Sequence, residues 1–262
     1  VGDPLSDKGV TRLTMKGENY HQGFELLEQA KAFARAPVSG YQVGAVLVTV
    51  QGQIFAGANL EFAGQPLSTA VHAEQAAVAA ALLRGQRDWR ELFVSARPCG
   101  HCRQFLHEFD QGALRVRVRG KDGVESSSTL DELLPYAFGG KVLPSETAGE
   151  TERPAPRLPN TDWAAAAREA LARSHAPYSG NAAAVVLAGN GHLIAGASLE
   201  SVAFNPSLGP MACALSQWRM GGREFGEIEH AWLVQSDPSR VDWENQSREI
   251  LASVSAVPVT AV

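Results

Sequence analysis

The sequence predicts an α/β protein built from two related copies of one unit, and three observations carry that expectation. The segment VGAVLVTVQGQIFAGANLE reads as a β-hairpin, TAVHAEQAAVAAALLR reads as a helix, and the hairpin returns further along the chain as AAAVVLAGNGHLIAGASLE. The chain length of 262 residues agrees, since it suits roughly two domains of about 130 residues each.

The elements follow in order. Residues 1–18, rich in Gly, Asp, Lys and Thr, are expected to form a flexible leader. Residues 21–36 place Phe24, Leu27, Ala30 and Ala34 at helical spacing, and Pro37 closes that segment. An apolar strand from Val43 to Val50 turns at Gln51 and Gly52 into a second strand running through Ile54 and Phe55 toward Asn59. Gly57 marks a bulge or a close backbone approach. The alanine- and leucine-rich run 69–84 stops at Gly85 and predicts a helix with His72 and Glu74 in its first turns. Leu92, Phe93 and Val94 supply a short strand, and Pro98 opens a helix through Phe105 and Leu106. Residues 113–119 alternate as a strand, followed by a polar turn at Lys121 to Ser128 and the segment LDELLPYAFG.

Residues 141–160, with four prolines and few large apolar side chains, are expected to link a unit at 19–140 to a second at 161–262. In the second unit AREALARSHAPYSG resembles QAKAFARAPVSG. An offset of 139 sets Gly52 against Gly191, Ala56 against Ala195, Gly57 against Gly196, Leu60 against Leu199 and Glu61 against Glu200. Carried into the next helix, that offset sets His72, Ala73 and Glu74 against Met211, Ala212 and Cys213. The second copy is therefore expected to keep a scaffold and lack the chemistry. Four of the five tryptophans, Trp163, Trp218, Trp232 and Trp243, lie in it and predict a core of its own.

Composition bounds the function. An apolar content of 45% with 14 prolines describes a folded soluble protein. No run approaches the roughly 20 apolar residues that cross a bilayer, and no secretory h-region opens the chain, so cytoplasmic residence is the expectation. The net charge of -5 gives no general attraction to a polyanion. Arg115, Arg117, Arg119 and Lys121 alternate along one strand face, which reads as a solvated face rather than a nucleic-acid contact. Three cysteines cannot build a multi-bridge framework, and the Cys-x-x-Cys of Cys99 and Cys102 is open between a metal half-site and a redox dithiol.

The central constellation is His72-Ala73-Glu74 with Pro98-Cys99-Gly100-His101-Cys102. A catalytic zinc wants three protein ligands and an open position, and one imidazole with two thiolates meets that count. Cys99 and Cys102 share a helical face near a helix N-terminus, where the dipole favours thiolate. His101 is turned away from that face. His72 and Glu74 would point about 200° apart on an ideal helix, which requires the metal to lie off the helix end. A structural zinc site would want a fourth Cys or His, and neither Cys213 nor the remaining histidines supply a second pair of comparable spacing.

The pairing of H-x-E with P-C-x-x-C resembles the signature of zinc deaminases. On these residues the sequence is similar to cytidine deaminases of the larger, two-domain homodimeric kind. The likeness extends through Val43-Gly44-Ala45, Gly57-Ala58-Asn59-Leu60-Glu61-Phe62, Cys102-Arg103-Gln104-Phe105, Leu134 to Gly139, Pro177-Tyr178-Ser179 and Ala203 to Ser207. The resemblance implies three-layer domains with a mixed sheet between helices, present as a catalytic and a degenerate non-catalytic copy. It implies one Zn2+ per chain on His72, Cys99 and Cys102, with zinc-bound hydroxide attacking C4 of the pyrimidine while Glu74 shuttles protons. It implies further that Asn59 and Glu61 hold the ribose 3'-hydroxyl, against the plainer reading of a turn-capping pair that Glu200 keeps open. Tyr41 stands where the family places a pocket-walling Phe, and Ala73, Phe138, Ala203 and Phe204 are implied as substrate contacts, the last three across a homodimer. The activity implied is deamination of cytidine and deoxycytidine in pyrimidine salvage. Three other readings stand beside it: a nucleic-acid deaminase, a free-base or nucleotide deaminase, and a non-enzymatic zinc-stabilised binding module.

Overall fold

The computed structural model describes residues 20–110, 112–120, 123–139 and 156–262. The leader at 1–18, most of the 141–160 linker and Lys121 lie outside the described residues. The chain forms two mixed sheets, each flanked by helices. In the first unit α1 (Tyr20–Lys31) is followed by β1 (Gly44–Thr49), β2 (Ile54–Ala58), α2 (Ala73–Leu83), β3 (Trp89–Val94), α3 (Gly100–Asp110), β4 (Arg115–Arg119), β5 (Glu125–Thr129) and α4 (Leu130–Leu133). The second unit comprises α5 (Asp162–Arg173), β6 (Ala183–Gly189), β7 (His192–Ala197), α6 (Pro210–Met220), β8 (His230–Gln235), α7 (Glu244–Ala252) and β9 (Val259–Ala261). Strand order is β2-β1-β3-β4-β5 in one sheet and β7-β6-β8-β9 in the other. β3 and β4 are parallel, as are β8 and β9, and the other pairs are antiparallel. No described helix is long and apolar enough to cross a membrane.

The period-2 alternation of β1 explains the layering. Val46 and Val48 pack with Phe24, Leu27 and Ala30 of α1 on one face, while Ala45 and Leu47 face α2 and α3 on the other. The same division recurs in β6, where Val186 packs toward α5 and Val185 and Leu187 toward α6. Gly57 and Gly196 are the close approaches of each hairpin: a Cβ at either would overlap the backbone of α2 or α6. Burial of all residues from Ala73 to Leu82 explains why α2 is alanine-rich, because it lies between its own sheet and the second unit, where only small side chains fit on every side.

Several expectations are corrected here. The second unit has no separate main core: one cluster of buried residues runs from α2 and Leu92 to Met211, Leu215 and Trp218. Both sheets turn their inner faces toward α2 and α6, so the apolar surfaces merge. The first helix ends at Lys31, not at residue 36, because Arg35 leaves it to pair with Leu60 as an isolated bridge. The polar turn expected at Lys121 to Ser128 is in its latter part an edge strand, β5, whose ESSST sequence carries no apolar alternation because neither of its faces is buried. The arginines of β4 are not simply solvated: Arg117 pairs with Glu91 at 2.8 Å, and Arg119 pairs with Glu125 at 2.6 Å while covering the Phe24 ring.

Candidate metal centre and nucleoside cavity

Two helix N-termini meet at the site. His72 is the residue before α2, with extended backbone (φ -83°, ψ 152°), so its side chain leaves off the helix end. This resolves the angular conflict with Glu74, since only Glu74 follows the helical wheel. Gln75 fixes the start of the helix, its Oε1 accepting the His72 backbone N–H at 3.0 Å. At α3 the Cys99 carbonyl accepts the first helical bond, from the Arg103 N–H, and Cys102 is buried within the first turn.

The His72 Nδ1 lies 3.5 Å from the Cys99 Sγ and 3.2 Å from the Cys102 Sγ, and the two sulfurs are 3.8 Å apart. A tetrahedral zinc with Zn–S of about 2.3 Å and Zn–N of about 2.0 Å would hold its sulfurs about 3.8 Å apart and each S···N pair about 3.5 Å apart. The donor set therefore fits zinc in both kind and spacing, and a dithiol serving redox chemistry alone would not need the imidazole. Among the described residues this is the one His/Cys/Asp/Glu group brought together closely enough to hold a metal.

The electrostatics follow from packing. Hydrogen bonds from Cys102 and His72 hold the Cys99 thiol down to about 3. Burial, reinforced by the Cys99 thiolate, pushes Cys102 well above its ordinary value. The hydrogen bond to Cys99 raises His72. Glu74 is almost wholly buried, and burial raises its carboxyl above the ordinary range. His101 is not part of the cluster; its ring stacks on His72 at 4.8 Å, and its buried Nε2 has no hydrogen-bond partner among the described residues.

A cavity of about 300 Å³ opens on this cluster and is lined also by Tyr41, Asn59, Glu61 and Ala73. Asn59 accepts the Val43 N–H at 2.8 Å and donates to the Tyr41 carbonyl at 2.9 Å. Glu61 accepts the N–H groups of Val38 and Ser39, both at 2.9 Å, and the Ser39 hydroxyl. Burial acts against ionisation of Glu61, but these bonds outweigh it and lower its carboxyl. Phe138, Ala203 and Phe204 do not line this cavity of their own chain: the Phe138 carbonyl accepts from Gln104, and Phe204 projects from the second unit, 62% exposed. Gln75, Ser39 and Arg97 have parts at the site that sequence reasoning missed. For Gln75 the signal was its spacing three residues after the helix-capping position.

The second unit repeats the frame and not the cluster, in a register that corrects the sequence alignment. Strand pairing opposes Ala45 to Gly57 and Val185 to Gly196, so β1 and β6 correspond at an offset of 140 and β2 and β7 at 139. The isolated bridges Leu60–Val71 and Leu199–Leu208 enclose 61–70 in one copy and 200–207 in the other, a loop two residues shorter. His72 therefore corresponds to Gly209, Ala73 to Pro210 and Glu74 to Met211, each helix starting on the carbonyl of its first member. By the same criterion Cys99 corresponds to Trp243. None of these counterparts offers zinc a ligand of the required kind.

Comparison with known proteins agrees with this geometry. The family model described as "Cytidine and deoxycytidylate deaminase zinc-binding region" matches residues 18–117, and a second model of the same description matches residues 130–248. The cytidine deaminase of Shewanella sp. (strain ANA-3) is 38% identical over 239 residues, which cover 88% of this chain and 78% of that protein. That of Pectobacterium carotovorum subsp. carotovorum (strain PC1) is 36% identical over 240 residues, covering 90% of this chain and 80% of that protein. Among solved structures, the cytidine deaminase from Burkholderia pseudomallei is 33% identical, covering 46% of this chain and 99% of that chain at a TM-score of 0.44. With a zinc-compatible His/Cys/Cys cluster and relatives matched over most of their own length, the chain belongs to the cytidine deaminase family.

Proposed function

We propose that this enzyme hydrolyses cytidine and deoxycytidine to uridine and deoxyuridine with release of ammonia, a reaction of pyrimidine salvage, using residues 19–140 as its catalytic unit. The observation that carries the reading is a single cavity lined by His72 and Cys99 of the metal-binding cluster and by Glu74 together with Asn59 and Glu61. His72, Cys99 and Cys102 would hold zinc, which supplies Lewis-acid activation of the attacking water. Glu74 would accept one proton of that water and give it to N3 of the ring as the oxygen adds at C4, then take the remaining proton of that oxygen and deliver it to the departing amino group, so that ammonia leaves as the C4 carbonyl forms. A raised carboxyl suits both directions of transfer.

The sugar pair can be counted by hydrogen-bond capacity. Asn59 has two amide protons and uses one on Tyr41, leaving one to donate. Glu61 has about four acceptor positions, and its three bonds to Val38 and Ser39 leave one to accept. One donor beside one acceptor matches a hydroxyl such as the ribose 3'-OH, while Tyr41 and Ala73 contribute pocket wall. The turn-capping role and the sugar role are thus compatible in Glu61.

We propose further that the chain is a homodimer whose nucleoside pocket is completed by Phe138, Ala203 and Phe204 of a second copy, with residues 161–262 serving assembly. In support, Phe138 and Phe204 are large aromatics left 45% and 62% exposed by their own chain. The test is ultraviolet absorbance loss on cytidine, deoxycytidine, cytosine, CMP and single-stranded DNA, with ammonia measured. Conversion of the two nucleosides alone supports the reading; no conversion leaves the zinc-stabilised binding module, and preference for another substrate replaces the sugar assignment. Sedimentation with activity over a dilution series tests the dimer, which a monomer of undiminished kcat would exclude.

A further inference from the structure

The 201–207 loop of the second unit, which presents Phe204, is anchored from two sides by the helices that carry the cluster. From α3, Glu108 accepts the Tyr178 hydroxyl at 2.6 Å and His175 Nε2 at 3.0 Å on Oε1, and the Val202 N–H at 2.8 Å on Oε2. From α2, Gln75 donates Nε2 to the Pro206 carbonyl at 2.9 Å while its Oε1 holds the His72 N–H. Both side chains are almost fully buried, Glu108 at 7% and Gln75 at 1% exposure. Between these anchors Phe204 sits at φ +60°, uncommon for an aromatic residue, with its ring edge-on to Tyr178 at 6.1 Å.

The bracing runs one way. In α6 the counterpart of Gln75 is Ala212, and the ninth residue of α7 is Ala252 where that of α3 is Glu108. At these two positions, therefore, the second unit's helices offer no such polar anchor to the corresponding loop of the first. Apolar packing already joins the two units through α2 and α6. A buried carboxylate is costly unless each oxygen is satisfied, and what it adds to such an interface is geometry more than stability. Here it fixes three points: the loop backbone at Val202, the ring beside Phe204, and His175.

We propose that Glu108 is a positioning residue that sets the orientation of Phe204 toward the nucleoside. This rests on the reading that Phe204 walls the pocket of a second copy. Glu108 does not line the cavity, and its hydrogen bonds go to His175, Tyr178 and Val202; it acts through Val202 and Tyr178.

The test is a double-mutant cycle on the zinc-loaded full chain, reading KM and kcat for cytidine with zinc content and Tm. Phe204→Ala is expected to raise KM about tenfold, and Glu108→Gln about three- to tenfold with kcat within about twofold, because with its oxygen on the Val202 N–H the amide can only donate toward Tyr178 and His175, which must turn from donors to acceptors. Zinc content should be unchanged. The double variant should have the KM of Phe204→Ala, since Glu108 has nothing left to position. A double-variant KM equal to the product of the single effects overturns the proposal, as does a Glu108→Gln protein with lowered Tm and unmoved KM. If Phe204→Ala leaves KM unchanged, the pocket-wall reading itself falls, and the proposal with it. Should Glu108→Gln not fold, Tyr178→Phe removes one donor to the same carboxylate and must show the same non-additivity with Phe204→Ala.

Discussion

The two units share a frame down to single hydrogen bonds, yet differ where the chemistry would be. Glu61 takes the N–H groups of Val38 and Ser39 and the Ser39 hydroxyl; Glu200 takes those of Tyr178 and Ser179 and the Ser179 hydroxyl. Each hairpin brings a glycine against its following helix. At the helix starts the likeness ends: His72 faces Gly209, Glu74 faces Met211, and Cys99 faces Trp243. The difference separates what folding needs from what the reaction needs. A carboxylate present in both units holds a turn in the unit without a cluster, whereas a side chain present in the first unit alone is not needed for the shared frame.

The largest effect expected along this divide is loss of zinc. Cys102→Ala removes a buried ligand at the junction of α2 and α3, and should reduce bound zinc well below one per chain and abolish activity. Cys213→Ala, in the buried start of α6, should keep the metal and cost only packing. Metal analysis of both variants checks the contrast; full zinc in Cys102→Ala would reject that ligand.

Next comes Glu74→Gln, which should keep zinc and fold while kcat falls about 10²- to 10⁴-fold, the usual worth of a general acid–base group. Steady-state kinetics on metal-replete protein decide it, and a loss below tenfold removes Glu74 from the proton transfers. Its counterpart Met211 is fully apolar and buried, so Met211→Leu should leave kcat unchanged.

A smaller effect is expected at Asn59, whose counterpart Ser198 keeps the structural half of the role by accepting the Ala183 N–H at 3.0 Å. Asn59→Ser should therefore fold, but lose the free amide proton. The kcat/KM for cytidine should drop about 5- to 50-fold, consistent with about 1–2 kcal/mol for a hydrogen bond left unmade. The preference for cytidine over 3'-deoxycytidine should shrink with it; an unaltered preference would separate Asn59 from the sugar.

Much of this contrast was legible in the sequence, for reasons that also mark its limits. The cluster was legible because ligand types and short spacings are local: His72 with Glu74, and Cys99 with Cys102, each fall within one helical turn. The hairpins were legible because their alternation and turn glycines are also local. Alignment of the second cluster position failed by two residues because the 200–207 loop is shorter, and only strand register and helix starts fix the correspondence. The merged core was hidden because an alanine-rich helix has the same appearance whether it faces one sheet or two neighbours. β5 was hidden because an edge strand of serines has no apolar period. The Glu108 contacts with His175, Tyr178 and Val202 span 67 to 94 residues, beyond any local pattern.

The smallest expected effect is also the most discriminating, because it compares one substitution in both units. In Glu61→Gln and Glu200→Gln the amide oxygen can keep both backbone N–H groups, while the new NH2 takes the place of the oxygen that accepted the Ser39 or Ser179 hydroxyl, so that the hydroxyl loses its charged acceptor and must turn to accept instead. Each should cost about 1–3 kcal/mol, read as a Tm decrease of about 2–10 °C in a chain of this size. Glu200 is the more buried of the two, at 4% exposure, so its variant should lie at the larger end. Catalysis should split the pair. Only Glu61 borders the cavity shared with the His72 cluster, so Glu61→Gln should raise KM for cytidine about 5- to 50-fold, while Glu200→Gln should leave it within about twofold. Equal Tm losses with equal, unchanged KM values would make Glu61 a turn-capping residue and nothing more. A KM increase confined to Glu61 would show the same carboxylate doing one job in the second unit and two in the first.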